Sequence, residues 1–598
     1  ERRARRSPPA PRRVRAPQPQ RRFRAGSPRR RLIVAFLVVA AVLVVIIARV
    51  AFLQTTEADT LRSAGVNQWT RSVQVPAQRG TVFDRHGSEL AMSVPAATIS
   101  INPKLIENGP ATVQLLDDLL GLSDEKVIEL LTEIEQKDRG FVFVQRQADA
   151  AVGDQLASMR LAGVNVDRES RREMPGGDTG RSVIGSTNID GAGIAGLELQ
   201  YDDILAGVGG EMRREVAPGG RSIPGSESVT QAPVAGQDLV LTLDRSIQYS
   251  TEQVLLEQVA AIGAKGATAI TMDTDTGEIY SMASVRADQD AGGYEVTSGN
   301  FAAVDAYEPG SVAKVITVAS ALSEGLVTPE TSYLVPWRKQ YYDDLLKDSH
   351  QHPDEWMSVA RILSESSNIG TIFVQQEMGR WVHRDYMAAF GLGEKTELDF
   401  PGESTGILKD ADQLWGSERV TVSYGQGVSS TSLQLVAAVN TIANRGEYVA
   451  PKLVRSVVDA DGTINDTDAA STRRVVTEQA AIQTTEMMRN VVCSGTATLA
   501  QVEGLPVAGK TGTAFKAADN GTYFDADGNR IYYSSFVGFF PADDPQVTVL
   551  VSVDEPPAGT DDRFGGTAAA PVFAELAPTL IHELGIVPTA GAPACGAG

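Results

Sequence analysis

Ser311-Val-Ala-Lys314, Ser366-Ser-Asn368 and Lys510-Thr-Gly512-Thr513 follow one another along a chain of 598 residues. They bring together a hydroxyl nucleophile, two lysines, an amide side chain and a glycine flanked by threonines. Each short motif is common alone. Ser123-Asp-Glu-Lys126 repeats the first and reads as a helix N-cap; Ser186-Thr-Asn188 and Ser298-Gly-Asn300 repeat the second and read as turns. Lys-Thr-Gly occurs once, and only one choice gives all three motifs in order after a Pro-Gly turn that opens a helix. A serine hydroxyl is a weak nucleophile at its own pKa and needs an adjacent base. The chemistry indicated is acyl transfer through Ser311, with Lys314 as base.

The elements around these residues must position them. Glu308-Pro309-Gly310 has turn chemistry, and the following VAKVITVASALSEG has apolar residues at helical spacing with Gly325 as its stop. Ser311 then lies in the first turn, on the same face as Lys314, where backbone N–H groups point at an incoming carbonyl. Burial and the second cation, Lys510, are expected to lower the Lys314 pKa. Ser366 and Asn368 fall between helical stretches, where Ser366 can relay a proton and Asn368 can hold a substrate amide. Lys510 reads as the start of a strand. Gly512 admits a close ligand, and Thr511 and Thr513 can bind a carboxylate. The N–H groups of Ser311 and Thr513 form a candidate oxyanion hole.

In this order the motifs form the signature of penicillin-recognising serine enzymes, and the chain after residue 70 resembles the class B penicillin-binding proteins, which are monofunctional peptidoglycan D,D-transpeptidases. Arg79-Gly80-Thr-Val-Phe-Asp84-Arg85 and Gly193-Ile-Ala-Gly196-Leu-Glu198 resemble the family's pedestal motifs. Asp238–Asp244, Tyr424-Gly425-Gln426-Gly427 with Thr431 and Gln434, and Gly565-Gly566-Thr-Ala-Ala-Ala-Pro571-Val-Phe573 resemble later landmarks. Two departures stand out: Arg172-Glu-Met174-Pro175 replaces the usual Arg-x-Tyr-Pro, and Val312-Ala313 replaces a Thr-Phe or Thr-Met pair. Glu308 before Pro-Gly-Ser is typical of the septal branch. The resemblance implies a serine acyl-enzyme that crosslinks stem peptides during division and is acylated by β-lactams. It implies D-Ala-D-Ala donor and amine acceptor peptides, membrane lipid, and division-complex proteins including a glycosyltransferase as partners. No cofactor, metal or nucleic acid is expected. An elongation-type enzyme, a non-catalytic division scaffold and a β-lactam sensor are the alternatives.

Composition and layout agree with a membrane-bound, multidomain chain. The net charge of −21 conceals a head, residues 1–31, with thirteen arginines and one glutamate. This head is Arg/Pro-rich and expected to be disordered. Residues 32–48 are seventeen uncharged, mostly apolar residues, and with Val50–Leu53 they reach the length of a membrane span, 32–54, with Arg49 snorkelling near its end. A cleaved signal peptide is the competing reading, but the run is long for one and no small-x-small site follows. Charge asymmetry puts the head in the cytoplasm and the remainder outside. The start of translation is expected upstream of Glu1.

The fold expected is a multidomain α+β/α/β chain: one transmembrane helix, an elongated β-rich pedestal over 55–235 with a helical insert near 111–136, and a β-lactamase-like transpeptidase domain over 236–585. In the last of these, an antiparallel sheet is flanked by helices. Residues 586–598 read as a flexible tail. His350-Gln-His352 reads as a surface loop rather than a metal site, and Asp525–Asn529 as a hairpin turn rather than a calcium loop. Cys493 and Cys595 are equally compatible with a disulfide and with free thiols.

Overall fold

The apolar run lies in a helix, Pro28–Thr55, the one element among the described residues long and apolar enough to cross a membrane. At 1.5 Å per residue it is about 42 Å long. It begins inside the basic head, with Pro28 in its first turn, where a missing N–H costs nothing. The structure is a computed structural model. It describes residues 27–216, 223, 226, 228–288, 292–516, 522–525, 528–587 and Cys595. The head before Ser27 and most of the tail after Val587 therefore lie outside the described residues. One compact unit, ending at Gln74 and resuming over Glu211–Gln231, holds Pro28–Thr55, the helix Ala58–Trp69 and nearly all of a sheet of Thr70–Val75, Gly210–Glu215 and Ser228–Gln231; Val75–Gly210 and the chain from Ala232 onward form a second.

In the second unit, the pedestal region and the catalytic region share a seven-stranded sheet. Asp238–Leu241 pairs parallel with Val82–Phe83, Leu239 opposite Val82, and antiparallel with Val454–Val458 from the far end of the chain. Glu89–Ile101 continues the sheet and pairs with both Val142–Asp149 and Val164–Glu173. The helical insert is two helices, Gly109–Leu120 and Asp124–Gln136, closing a small core over Ile99 and Ile101. Ser123 caps the second, its hydroxyl accepting from Lys126 N at 3.3 Å.

The catalytic sheet has six antiparallel strands: β1 (Gly266–Asp273), β2 (Ile279–Ala287), β3 (Tyr294–Val296), β4 (Ala508–Phe515), β5 (Tyr532–Phe540) and β6 (Val547–Asp554), in spatial order β3-β2-β1-β6-β5-β4. Alternation along β6 explains its two-sided burial. Val549, Val551 and Val553 face the helices Arg245–Ile262 and Ala570–Leu584, while Leu550 joins the core of Ala313–Ser323 and Ser432–Ala443. Ser432–Ala443 is buried on every side. Thr431 and Gln434 form its capping box, which satisfies the N–H groups of Gln434 and Thr431. Cys493, at the end of Glu478–Cys493, is disulfide-bonded to Cys595, with Cα atoms 5.2 Å apart.

Candidate active site

The Pro-Gly turn places Ser311. Gly310 has φ +53, and its N–H donates to Gly425 O at 3.2 Å. A Cβ on Gly425 would stand 2.2 Å from Gly310 O, so the Gly425-Gln-Gly427 segment needs glycine there. Glu308 holds the same segment, its Oε1 accepting from Gly427 N at 2.9 Å. The chain then makes one 3-10 turn, Gly310–Val312, before the α-helix Ala313–Ser323. The helix expected from Ser311 onward is therefore tighter in its first turn. Ser311 is partly exposed; Lys314 is completely buried.

Ser366 is the pivot. Its Oγ accepts from Lys314 Nζ at 3.1 Å and from Lys510 Nζ at 3.0 Å. Lys314 also donates to Ser366 O and, at 2.7 Å, to Asn368 Oδ1; Lys510 also donates to Thr511 O at 3.1 Å. Ser366 adopts φ +62, a left-handed conformation in which a non-glycine residue is strained. Lys510 is the third residue of β4 rather than its start, and is also completely buried.

Burial carries the Lys314 pKa down to about 7, with the Asp348 carboxylate opposing. Lys510 is lowered well below its usual range, first by burial and then by Lys314. The second-cation effect expected on Lys314 is thus seen on Lys510.

Gly512 and Thr513 lie against the Ser311 turn. A Cβ on Gly512 would come within 2.9 Å of Pro309 O and 3.1 Å of Val312 Cγ2, and one on Gly310 within 3.0 Å of Thr513 O. Thr511 Oγ1 and Thr496 Oγ1 are 2.7 Å apart, and Thr513 Oγ1 accepts from Gly565 N at 3.2 Å. This last bond gives the Gly565-Gly566 landmark its place, behind β4.

The structure thus brings Lys314, Ser366, Asn368 and Lys510 into one hydrogen-bonded cluster, with Thr511, Gly512 and Thr513 beside it. It does not join Ser311 Oγ to Lys314: among the described residues Ser311 Oγ has no hydrogen bond to either lysine or to Ser366. Ser123 stands apart as a helix cap. Among the described residues no group of three His, Cys, Asp or Glu side chains is placed to hold a metal.

Sequence reasoning missed Asp348 and Thr496, for which no local pattern exists. The His350-Gln-His352 segment is an exposed loop, as expected, but within it the His352 side chain turns inward: it is only 6% exposed, and its Nε2 is 3.1 Å from Asp348 Oδ2.

The pedestal motif residues are placed differently. Arg79 Nε reaches Glu198 Oε2 at 2.6 Å, and its Nη1 reaches Asp202 Oδ1 at 2.6 Å. Arg172, from the departed motif, reaches Glu198 Oε1 at 2.7 Å and Gly80 O at 2.7 Å. A Cβ on Gly80 would stand 1.8 Å from Gln237 O, and Gly196 has φ +60. Asp84 closes a turn by accepting from His86 N and Ser88 N, while Arg85 lies 4.3 Å from the Tyr280 ring centroid and 3.4 Å from Glu278.

The chain is similar to known proteins over most of its length. Residues 267–577 match the family model for a penicillin-binding protein transpeptidase domain, and residues 74–241 that for a penicillin-binding protein dimerisation domain. Penicillin-binding protein PbpB of Mycolicibacterium smegmatis is 31% identical over 599 residues, covering 93% of this chain and 91% of its own. Peptidoglycan D,D-transpeptidase FtsI of Escherichia coli K12 is 30% identical, covering 91% of this chain and 90% of its own. Among solved structures, penicillin-binding protein 3 from Mycobacterium tuberculosis, complexed with aztreonam, aligns with a TM-score of 0.67 at 27% identity, over 88% of this chain and 99% of that one.

Proposed function

Since the chain belongs to the class B penicillin-binding proteins, we propose that it crosslinks peptidoglycan as a septal D,D-transpeptidase, with Ser311 as nucleophile and Lys314 as its base. The observation that carries these roles is the Ser366 hydroxyl held between two buried lysines. Two ammonium groups on one acceptor repel each other in a desolvated site. The cluster therefore favours a neutral amine, which is what a base near neutral pH requires.

In the proposed reaction, Ser311 Oγ attacks the carbonyl of the penultimate D-Ala and its proton passes to Lys314. The oxyanion is received by the N–H groups of Ser311 and Thr513. Collapse breaks the amide bond, and the departing D-Ala amine takes the proton back through Ser366. An acceptor amine then attacks the ester, a new amide forms and Ser311 regains its proton. Asn368 holds the donor's amide, and Thr511 and Thr513 with Lys510 receive its carboxylate. The outer side of β4 is an unpaired sheet edge next to Gly512, where an extended stem peptide can add as a strand. A β-lactam enters the same sequence, its ring amide opening to an ester that keeps its leaving group attached.

Mass spectrometry after incubation with a penicillin tests the assignment. One adduct on Ser311 is expected, and none on Ser311→Ala with an unchanged melting temperature. An adduct on that variant, or one mapped to Ser123, removes the assignment.

The proposal extends to placement. The basic head lies in the cytoplasm, the helix Pro28–Thr55 crosses the membrane and the catalytic region works outside at the septum beside a glycosyltransferase and other division proteins. The arginine-rich head against an acidic remainder supports the orientation, and Glu308 before the serine motif supports the septal branch. Protease added outside spheroplasts should digest the region after residue 55 and spare the head; protection of the catalytic region reverses the orientation.

A further inference from the structure

Asp348 belongs to none of the three motifs, yet its carboxylate grips one of them, through Ser367 Oγ and Asn368 N. It follows the hairpin strand Asp344–Lys347, and its own N–H is tied to Trp337 O at 2.9 Å. The side chain is almost wholly buried. Oδ1 accepts from Asn368 N at 2.6 Å and from Ile369 N at 2.9 Å. Oδ2 accepts from Ser367 Oγ at 2.7 Å and lies 3.1 Å from His352 Nε2. Ser367 in turn accepts from Gly370 N at 2.9 Å. The first N–H groups of the helix Asn368–Ala389 are therefore held by one carboxylate and the serine it orients. A negative charge is favoured at that end of a helix. The neighbouring Lys347 O accepts from Asn368 Nδ2 at 3.0 Å, so the same loop fixes the Asn368 side chain as well.

This clamp answers a structural problem. Ser366 holds a left-handed backbone, a conformation that persists for a serine only where its surroundings over-determine it. The residues on its C-terminal side, Ser367 and Asn368, are the ones Asp348 grips. We propose that Asp348, itself fixed by His352, is a positioning residue for the transpeptidation site: it holds the Ser366–Asn368 turn so that Ser366 Oγ and Asn368 Oδ1 meet the lysines, and it sets the charge felt by Lys314.

The inference rests on reading Ser311 and Lys314 as nucleophile and base. Lys314 is faced by Lys510 from β4, by Asp348 from the hairpin loop, and by the Tyr424 ring with its centroid 5.9 Å away. Asp348 is faced by His352, whose Nδ1 lies 3.5 Å from Glu355; Glu355 also meets Arg361 at 2.9 Å, and His350 and Glu365 border the same cleft. Asp348 opposes the burial that lowers the Lys314 pKa. Removing its charge leaves protonated Lys314 less stable and lowers that pKa further.

The test is the rate of penicillin acylation against pH for the full chain and for Asp348→Asn, a replacement of equal size without the charge. Acylation should slow by about ten- to a hundredfold, as for loss of a charged hydrogen-bond network. The midpoint of its pH dependence should move to lower pH by about half a unit or more. A merely structural role would lower the melting temperature without moving that midpoint. Wild-type rate and midpoint in Asp348→Asn overturn the proposal. Should Asp348→Asn show no cooperative melt, Ser367→Ala decides: it keeps the charge and removes one bond of the clamp. Slower acylation at an unmoved midpoint supports the proposal, and a wild-type rate overturns it. Ser311→Ala runs alongside. Persistent labelling of that variant discards the nucleophile assignment, whereas its loss together with normal Asp348→Asn kinetics discards only the clamp.

Discussion

In the Arg79 cluster each buried charge meets its opposite, whereas in the Ser366 cluster two buried lysines meet one hydroxyl oxygen. Glu198 receives Arg79 on one carboxylate oxygen and Arg172 on the other, and Asp202 takes the remaining side of Arg79. Those charges cancel where they stand, and their geometry ties Arg79 and Arg172 to the helix Gly196–Gln200. Around Ser366, Lys314 and Lys510 are desolvated with neutral acceptors and one nearby carboxylate, Asp348. The Ser366 cluster is driven to lose a proton, because both of its lysines are lowered by burial. Burial alone therefore does not distinguish a structural cluster from a reactive one; the balance of charge within it does.

The largest effect that separates the two clusters is kinetic. Lys314→Ala should slow acylation by about 10²–10⁴-fold, the usual contribution of a positioned base, with folding retained. Lys510→Ala should chiefly weaken ligand binding; if it is the slower acylator at saturating penicillin, the two lysines exchange roles. The matching change in the pedestal is thermodynamic. Glu198→Ala leaves Arg172 without its carboxylate and Arg79 with Asp202 alone, and should cost about 3–5 kcal/mol of stability in denaturant unfolding, while whatever remains folded acylates at the normal rate. Slowed acylation in the folded fraction would erase the contrast.

The pH response sharpens the comparison. Lys314, held near 7 by burial, is protonated and inactive as a base below that value and neutral above it. The acylation rate should therefore rise as pH passes upward through about 7 and then level off; a flat profile between pH 6 and pH 8 would count against Lys314 as the base. The smallest effect belongs to the decoy motif. Ser123→Ala removes an N-cap and should cost about 1 kcal/mol, with penicillin labelling unchanged.

If the pedestal presents a surface to division proteins, exposed substitutions there should leave acylation of the purified enzyme normal while division fails in cells. If every substitution that blocks division also lowers melting temperature or acylation, that reading falls.

Much of this was legible in sequence, because it is carried by spacing along the chain. The order Ser311-x-x-Lys314, Ser366-x-Asn368, Lys510-Thr-Gly512 identified the chemistry, and the seventeen-residue apolar run marked the helix that contains it. Strand alternation in QVTVLVSVD and the glycine turn before Ile279 marked the antiparallel sheet. These signals have periods of 2 and 3.6 residues or fixed short offsets, which a linear reading detects. Three features did not yield to it: the left-handed Ser366, the Asp348–His352 support beneath Asn368, and the sheet joining Val82–Phe83 to Val454–Val458 through Asp238–Leu241. Each depends on partners brought together by folding; Lys510 and Ser366 are 144 residues apart. The types of the candidate reactive residues were determined by the sequence alone. Which of them share a proton, and what charge surrounds it, was decided by tertiary packing, because desolvation and Coulomb interaction depend on distance in space and not on separation along the chain.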